Sequence, residues 1–377
     1  MLALTTRTSL IIGAACIGLL LLLSAFCPGE AAGATVQGVT GAFLHTARTD
    51  DDHPPNPVPP RLFFGDEVLE FTLLADFDQL LKDRDQESEE RPGRLILTAL
   101  DGTPREIPLK VRTRGNFRLD KRNCSFPPLR LNLPRGDLQG TVLDGQNKLK
   151  VVTHCRGQNR YEQNLLEEYL AYRILNLVTE VSFRPQLARI TYVDVAGKRD
   201  TETRYAFLIE SKKGMAARLD GTFLDPPGLH PDEYDQPAAG LMYLFQFLIG
   251  NEDWSSVYFH NMKLIRIDNR AFPVPFDFDW SGLVWAPYAE PHPEFRDQMR
   301  TVRQRLYRGF CSDRIDHPQL VRQFRESKAE ILDLIQELPG LEEENIRSAT
   351  EYVEEFYGIL GDPKSTRRKI LDACRPT

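Results

Sequence analysis

The amino-acid order predicts an α+β chain of two lobes, a sheet-rich first half and a helical second half. Three observations carry that expectation. Short apolar strands separated by turn signals fill residues 61–212. Apolar residues at helical spacing, punctuated by Pro339-Gly340 and Gly361-Asp362-Pro363, fill most of 213–377. Between them, acidic and amide side chains gather around a predicted hairpin. Strands grouped first and helices grouped afterwards are the order of an α+β architecture, and the cleft between two such lobes is a natural ligand site.

Residues 1–34 read as an export signal. Arg7 gives a weak positive start, residues 10–26 form an apolar run, and Ala32-Gly33-Ala34 supplies small residues for cleavage near Thr35. The alternative is an uncleaved N-terminal membrane anchor, for which the run lies near the lower length limit. Bulky Phe26 precedes Cys27, where a lipoprotein signal requires a small residue. No later segment is apolar enough to cross a membrane. The expected location is therefore secreted or periplasmic. Residues 35–60, with Asp50-Asp51-Asp52-His53-Pro54-Pro55, read as a Pro-rich linker.

From residue 61 the sheet-rich lobe begins. Strands are expected at 68–74, 94–100, 107–114, 126–133, 148–154, 187–193 and 203–210, with a short helix at 77–81 and a long one at 160–178. Asp101-Gly102 marks a hairpin turn. In the lobe from residue 213 on, an apolar helix at 238–249 leads into a hairpin of 258–267 and 271–276 through Asp268-Asn269. Helices are then expected at 295–307, 318–338, 341–360 and 364–374.

Beyond the leader four cysteines remain, Cys124, Cys155, Cys311 and Cys374. In an oxidising compartment an even number suggests two disulfides, with three connectivities open. If strands 126–133 and 148–154 pair antiparallel, Cys124 and Cys155 meet at one end of that hairpin. Cys311 with Cys374 then ties the C-terminal helices together. A net charge of -7 and a pI near 5.6 argue against nucleic acid as a partner.

The chemistry concentrates in Gly250-Asn251-Glu252-Asp253-Trp254, His260-Asn261 and Phe276-Asp277-Phe278-Asp279. Carboxylate and amide oxygens are hard ligands, suited to Mg²⁺ or Mn²⁺ rather than zinc. Asp253 is placed to accept the proton of a substrate hydroxyl, and Asn261 with Asp277 or Asp279 to hold metal on a nucleotide triphosphate. Lys150, paired with Glu167 or Glu168 of the long helix, is expected to hold phosphates. Arg112, Arg114, Gly115, Asn116 and Arg118 form a basic turn after a strand, and arginine forks suit phosphate oxygens. Each of these has a plainer alternative as a turn, surface or ion-pair residue. No Gly-x-Ser-x-Gly elbow and no His-Glu-x-x-His pattern occurs.

Arg114-Gly115-Asn116 with Leu129-Arg130-Leu131, Gly250-Asn251-Glu252-Asp253-Trp254, His260-Asn261 and Phe276-Asp277-Phe278-Asp279 together resemble the spore-coat-protein-H-like (CotH-like) atypical protein kinases. The resemblance runs from about Val111 to Gly282. It implies a two-lobed protein-kinase-like fold, with an N-terminal antiparallel sheet lobe and a helical C-terminal lobe. It also implies transfer of the ATP γ-phosphate to an exported protein acceptor with Mg²⁺ or Mn²⁺. On that basis Asp253 is the catalytic acid-base residue, Asn261 a metal ligand, and Asp277 or Asp279 the metal-binding aspartate. The chain departs from the standard kinase pattern in three ways. Asn261 follows Asp253 by eight residues rather than about five, and both the Gly-x-Gly-x-x-Gly loop and the Val-Ala-Ile-Lys motif are missing. A catalytically inactive scaffold at the cell envelope and a metal-dependent phosphoester hydrolase are the competing readings.

Overall fold

The computed structural model describes residues 61–85, 87–134, 136, 138–225 and 228–376. The expected export signal and linker lie outside the described residues. Within them, the first half is built from β1 (Leu69–Ala75), the short α1 (Phe77–Leu80), β2 (Arg91–Thr98), β3 (Pro104–Thr113), β4 (Leu129–Asn132), β5 (Lys148–Val152), α2 (Asn159–Val178), β6 (Pro185–Asp194) and β7 (Glu202–Ile209). Burial alternates along β1 and β3, as the period of a half-buried strand requires.

These strands do not form the expected antiparallel sheet lobe. They close into a seven-stranded barrel in the order β1-β2-β3-β4-β5-β7-β6. Closure is made by a parallel pairing of β1 with β6, Phe71 standing opposite Ile190, while β1 pairs antiparallel with β2. The expected two-lobed kinase-like fold is thereby corrected. Apolar alternation assigns each strand its inner face, but it carries no information on which strand lies beside it or in which direction. Here the chain passes through α2 before β6, so β6 returns running the same way as β1 and covers the edge that an open sheet would expose. Leu73, Leu95, Val111, Leu131, Val151 and Leu208 fill the interior.

A second hydrophobic cluster joins α2 to the rest of the chain. That part comprises α3 (Lys212–Arg218), β8 (Thr222–Phe223), α4 (Gln236–Ile249), β9 (Met262–Ile267), β10 (Arg270–Pro275), α5 (His317–Glu326), α6 (Lys328–Glu337), α7 (Glu343–Gly361) and α8 (Pro363–Thr366). Helix α4 is buried along most of its length, with Asp235 capping its start and Gly250 in left-handed conformation at its end. A Cβ at Gly250 would strike the Tyr352 hydroxyl, so glycine is required there for space as well as conformation.

Several expected elements are redrawn. The helix expected at 295–307 is absent apart from one turn at Pro293–Phe295. In its place Arg303 and Arg305 reach the carbonyls of Gly282 and Leu248 and lie over the Tyr352 ring. Those side-chain bonds hold the backbone in an irregular path. The single helix expected at 318–338 breaks at Ser327 into α5 and α6. The strand expected at 126–133 shortens to β4, leaving Phe126 in a lone bridge to Cys155. That bridge sets the expected Cys124–Cys155 disulfide, and Cys311–Cys374 closes the second. No described helix is long and apolar enough to cross a membrane.

Candidate functional site

The turn after α4 is rigid. Asn251 is buried, and its Oδ1 accepts the Asp253 N–H at 3.0 Å while its carbonyl accepts Trp254 Nε1 at 3.0 Å. Buried Trp254 stacks on Tyr243 and lies under the Arg308 guanidinium. Asp253 therefore stands on a fixed backbone. Its Oδ1 is 2.9 Å from His260 Nε2, and Asn261 Nδ2 donates to both its carbonyl and its Oδ2 at 2.9 Å. Phe259 and Asn261 adopt left-handed conformations to make that turn. The hairpin of β9 and β10 then brings Phe276 N–H onto the Asn261 carbonyl at 3.0 Å. One short element thus delivers Asp277 to the neighbourhood of Asp253.

Asp277 is also left-handed, and its N–H donates to the Tyr172 hydroxyl of α2 at 2.8 Å. The next residue, Phe278, is fully buried between Tyr172 and Phe245. It is the wedge that holds Asp277 and Asp279 on either side of it. Asp279 Oδ2 accepts the Tyr288 hydroxyl at 2.8 Å and an Arg118 nitrogen at 2.9 Å. The same Arg118 nitrogen reaches Glu168 Oε2 of α2 at 2.9 Å. One oxygen from each of Glu168, Asp277 and Asp279 lies within 4.8 Å of the others.

Three carboxylates facing chiefly one guanidinium do not all ionise easily. Burial, opposed in part by Arg118, pushes Glu168 up to about 8. Burial and the adjoining Asp279 push Asp277 up to about 6, although its side chain is open to the cleft. Burial opposes the Arg118 charge, but Tyr288, Asp279 and Glu168 outweigh it and keep the guanidinium protonated. The Asp277 carboxylate makes no hydrogen bond or ion pair among the described residues. It is the member of the trio left available.

These side chains line a cleft of ≈ 480 Å³. Of the residues singled out from the sequence, Arg112, Arg114, Lys150, Glu168, Asp253, Asn261, Asp277 and Asp279 all stand on its walls. Lys150 projects from β5, where it pairs in register with Arg130 and Ile209. Its surface is exposed, but crowding by the cleft walls and repulsion from Arg114 draw it down to about 8. Burial likewise lowers Arg114, which Asp277 supports.

Glu167 is not in the cleft. Its carboxylate accepts from Asn164 Nδ2 at 3.0 Å and from Asn345 Nδ2 of α7 at 2.9 Å, and burial pushes it up to about 7. The expected Lys150–glutamate ion pair is not formed. Successive residues of a helix point about 100° apart, so Glu168 faces the cleft while Glu167 faces α7. Arg118 takes Glu168 in place of Lys150. Arg118, expected with Arg112 and Arg114 in a phosphate-binding basic turn, is instead paired with Glu168 and Asp279. Tyr172 and Tyr288 are the site residues that sequence reasoning passed over, and Tyr172 counted only as an apolar helix position. For Tyr288 there was no local signal.

No protein-family model matches this sequence, and no curated protein matches it. Among solved structures, the crystal structure of a Helicobacter pylori proinflammatory kinase, CtkA, is similar with a TM-score of 0.32 and 11% identity. The match covers 65% of this chain and 92% of that one. A likeness at that level establishes neither fold nor activity for this chain.

Proposed function

We propose that this chain is an exported kinase that transfers the γ-phosphate of ATP to a protein hydroxyl, with Mg²⁺ or Mn²⁺ bound. The observation that carries this reading is the meeting, in one cleft, of three different chemical functions. Asp253 is oriented by His260 and Asn261. An acidic trio of oxygen donors adjoins it. Arg112, Arg114 and Lys150 provide cationic walls suited to phosphate oxygens.

The donor set suits a hard divalent cation, since all its atoms are oxygens. Asp277 would be its first ligand, with Asn261 as the amide ligand. Asp279 is committed to Arg118 and Tyr288, which makes it an anchor of the site. When bound, the metal would neutralise charge on the phosphates. Asp253 orients the acceptor hydroxyl and takes its proton. The hydroxyl oxygen bonds to the γ-phosphorus while the bond from that phosphorus to the β–γ bridging oxygen breaks, and ADP leaves. Two disulfides accord with an oxidising, extracytoplasmic location.

One observation favours the scaffold reading instead. Arg118 already supplies a positive charge to two of the three carboxylates, so the cluster has a built-in counter-ion. Thermal unfolding with millimolar ATP and Mg²⁺ or Mn²⁺ separates the two, because a ligand of the native state must raise the midpoint. A shift in the wild type that is missing in Asp277→Ala supports the kinase. No shift with either metal makes the scaffold the better account. Product analysis then distinguishes phosphate on an acceptor from free phosphate, the product of a hydrolase.

A further inference from the structure

A second hollow, of ≈ 340 Å³, adjoins the cleft and shares with it Phe117, Asp253, His260 and Trp280. Its character differs. Where the main cleft is walled by charges, this one is lined mainly by apolar surface, with Phe117, Trp280, Pro291 and Pro293 on its walls. The aromatic wall is built rather than incidental. Phe117 packs edge-on to Trp280 with centroids 5.3 Å apart and lies 5.2 Å from Tyr288.

The opposite wall is tied to the Asp253 turn. His292 N–H donates to Glu252 Oε1 at 3.0 Å, so the Pro291–Pro293 stretch moves with the residue next to Asp253. Glu252 is buried, and its Oε2 has no hydrogen-bond partner. Arg296 and Glu290 face each other across the rim at 3.5 Å. The hollow is therefore fixed in position relative to Asp253.

We infer that this hollow is the acceptor subsite and that it takes a bulky apolar side chain beside the hydroxyl to be phosphorylated. The inference rests on the kinase reading. A hydroxyl delivered to Asp253 belongs to a chain that continues past it, and the hollow opens from Asp253 and His260 themselves. Aromatic faces with a charged rim reward an apolar or aromatic group in the floor and leave a peptide backbone at the water line. A nucleotide's phosphates are served by Arg112, Arg114 and Lys150 of the main cleft, whereas the arginine of this hollow, Arg296, lies beside Glu290.

The test uses the purified full-length chain with ATP and Mg²⁺ or Mn²⁺. The acceptors are matched serine peptides differing only in the flanking residue, which is Phe, Ala or Glu. The Phe peptide is expected to show a KM about tenfold below that of the Glu peptide, a difference that one modest apolar contact can supply. Pro291→Asp, which puts a carboxylate into the apolar wall, should abolish that preference while leaving the KM for ATP within about twofold. Its unfolding midpoint serves as the check on folding. Binding of the same labelled peptides without ATP, read by fluorescence anisotropy, should follow the same order.

Equal KM and equal binding for all three peptides, with phosphate transfer intact, overturns the subsite and leaves the kinase standing. Unchanged preference in folded Pro291→Asp does the same. Nucleotide stabilisation without binding of any peptide also rejects the subsite alone. Absence of both nucleotide stabilisation and transfer overturns the kinase reading, and the subsite with it.

Discussion

Arg118→Met is the most informative single change. The side chains of Arg118, Glu168 and Asp279 are 11%, 1% and 8% exposed, so the pairing is largely out of water. Methionine approximates the aliphatic stem but leaves two buried carboxylates without their guanidinium. Removing one partner of a buried pair costs roughly 3–5 kcal/mol. For a chain of this size the unfolding entropy is about 0.7 kcal/mol per degree, so the midpoint should fall by roughly 4–7 °C. The loss should also depend on pH. Carboxylates deprived of a counter-charge favour protonation in the folded state, which stabilises that state below the unfolded carboxylate pKa and is lost as pH rises. The deficit relative to wild type is therefore small near pH 4 and larger at pH 8, where Glu168 is ionising and the deficit is still growing. Differential scanning calorimetry across that range reads it directly. Mg²⁺ or Mn²⁺ should restore more of the midpoint in the variant than it adds to the wild type, since the cluster then lacks its internal cation. A deficit of equal size at pH 4 and pH 8 would refute the electrostatic account and assign Arg118 a packing role. Failure of either metal to restore anything would remove the acidic trio as a cation site.

Three further outcomes follow from the same geometry. Glu167→Gln should match the wild type near pH 4 and exceed it near pH 8 by on the order of 3 kcal/mol, because burial holds Glu167 up to about 7 and the cost of charging it accumulates from the unfolded carboxylate's range up to that value; urea titration at both pH values measures it. Phe278→Ala should cost about 3–5 kcal/mol by emptying the space between Tyr172 and Phe245, and should weaken nucleotide stabilisation at the same time because Asp277 and Asp279 flank it. Cys311→Ser/Cys374→Ser releases a 63-residue separation and should lose roughly 4 kcal/mol in the chain-entropy estimate, read as a lower unfolding midpoint, while nucleotide binding in the folded state is retained.

The cleft was legible to an unusual degree from local pattern because its acids sit on turns. Gly250 ends α4 and Asn251 turns the chain, while the Asp268-Asn269 hairpin folds Asn261 back onto Phe276. Turn chemistry is local, so it can be read along the chain. The cysteine pairs were legible for a related reason, since Cys124 and Cys155 close the end of an adjacent strand pair. Lys150 and Glu167 show the limit. Both lie on regular elements where many polar residues look alike, and only the orientation of α2 decides that Glu168 rather than Glu167 meets the cleft. Irregular backbone is the other limit. The run 295–307 has helical apolar spacing, yet the bonds of Arg303 and Arg305 to distant carbonyls and Tyr352 override it.

By itself the sequence determined the elements whose signals are short in range: alternating strands, the α2 and α4 helices, the turns that carry Asp253, Asn261 and Asp277, and the two cysteine pairs. Tertiary structure decided what depends on partners far apart in the chain. The parallel β1–β6 seam that closes the barrel joins residues with Phe71 opposite Ile190. The Arg118 contacts to Glu168, Asp279 and Tyr288 span separations of 50, 161 and 170 residues. Period and propensity constrain each residue's own conformation. They say nothing of which distant side chain will be its neighbour, because that choice is made by packing of the whole core.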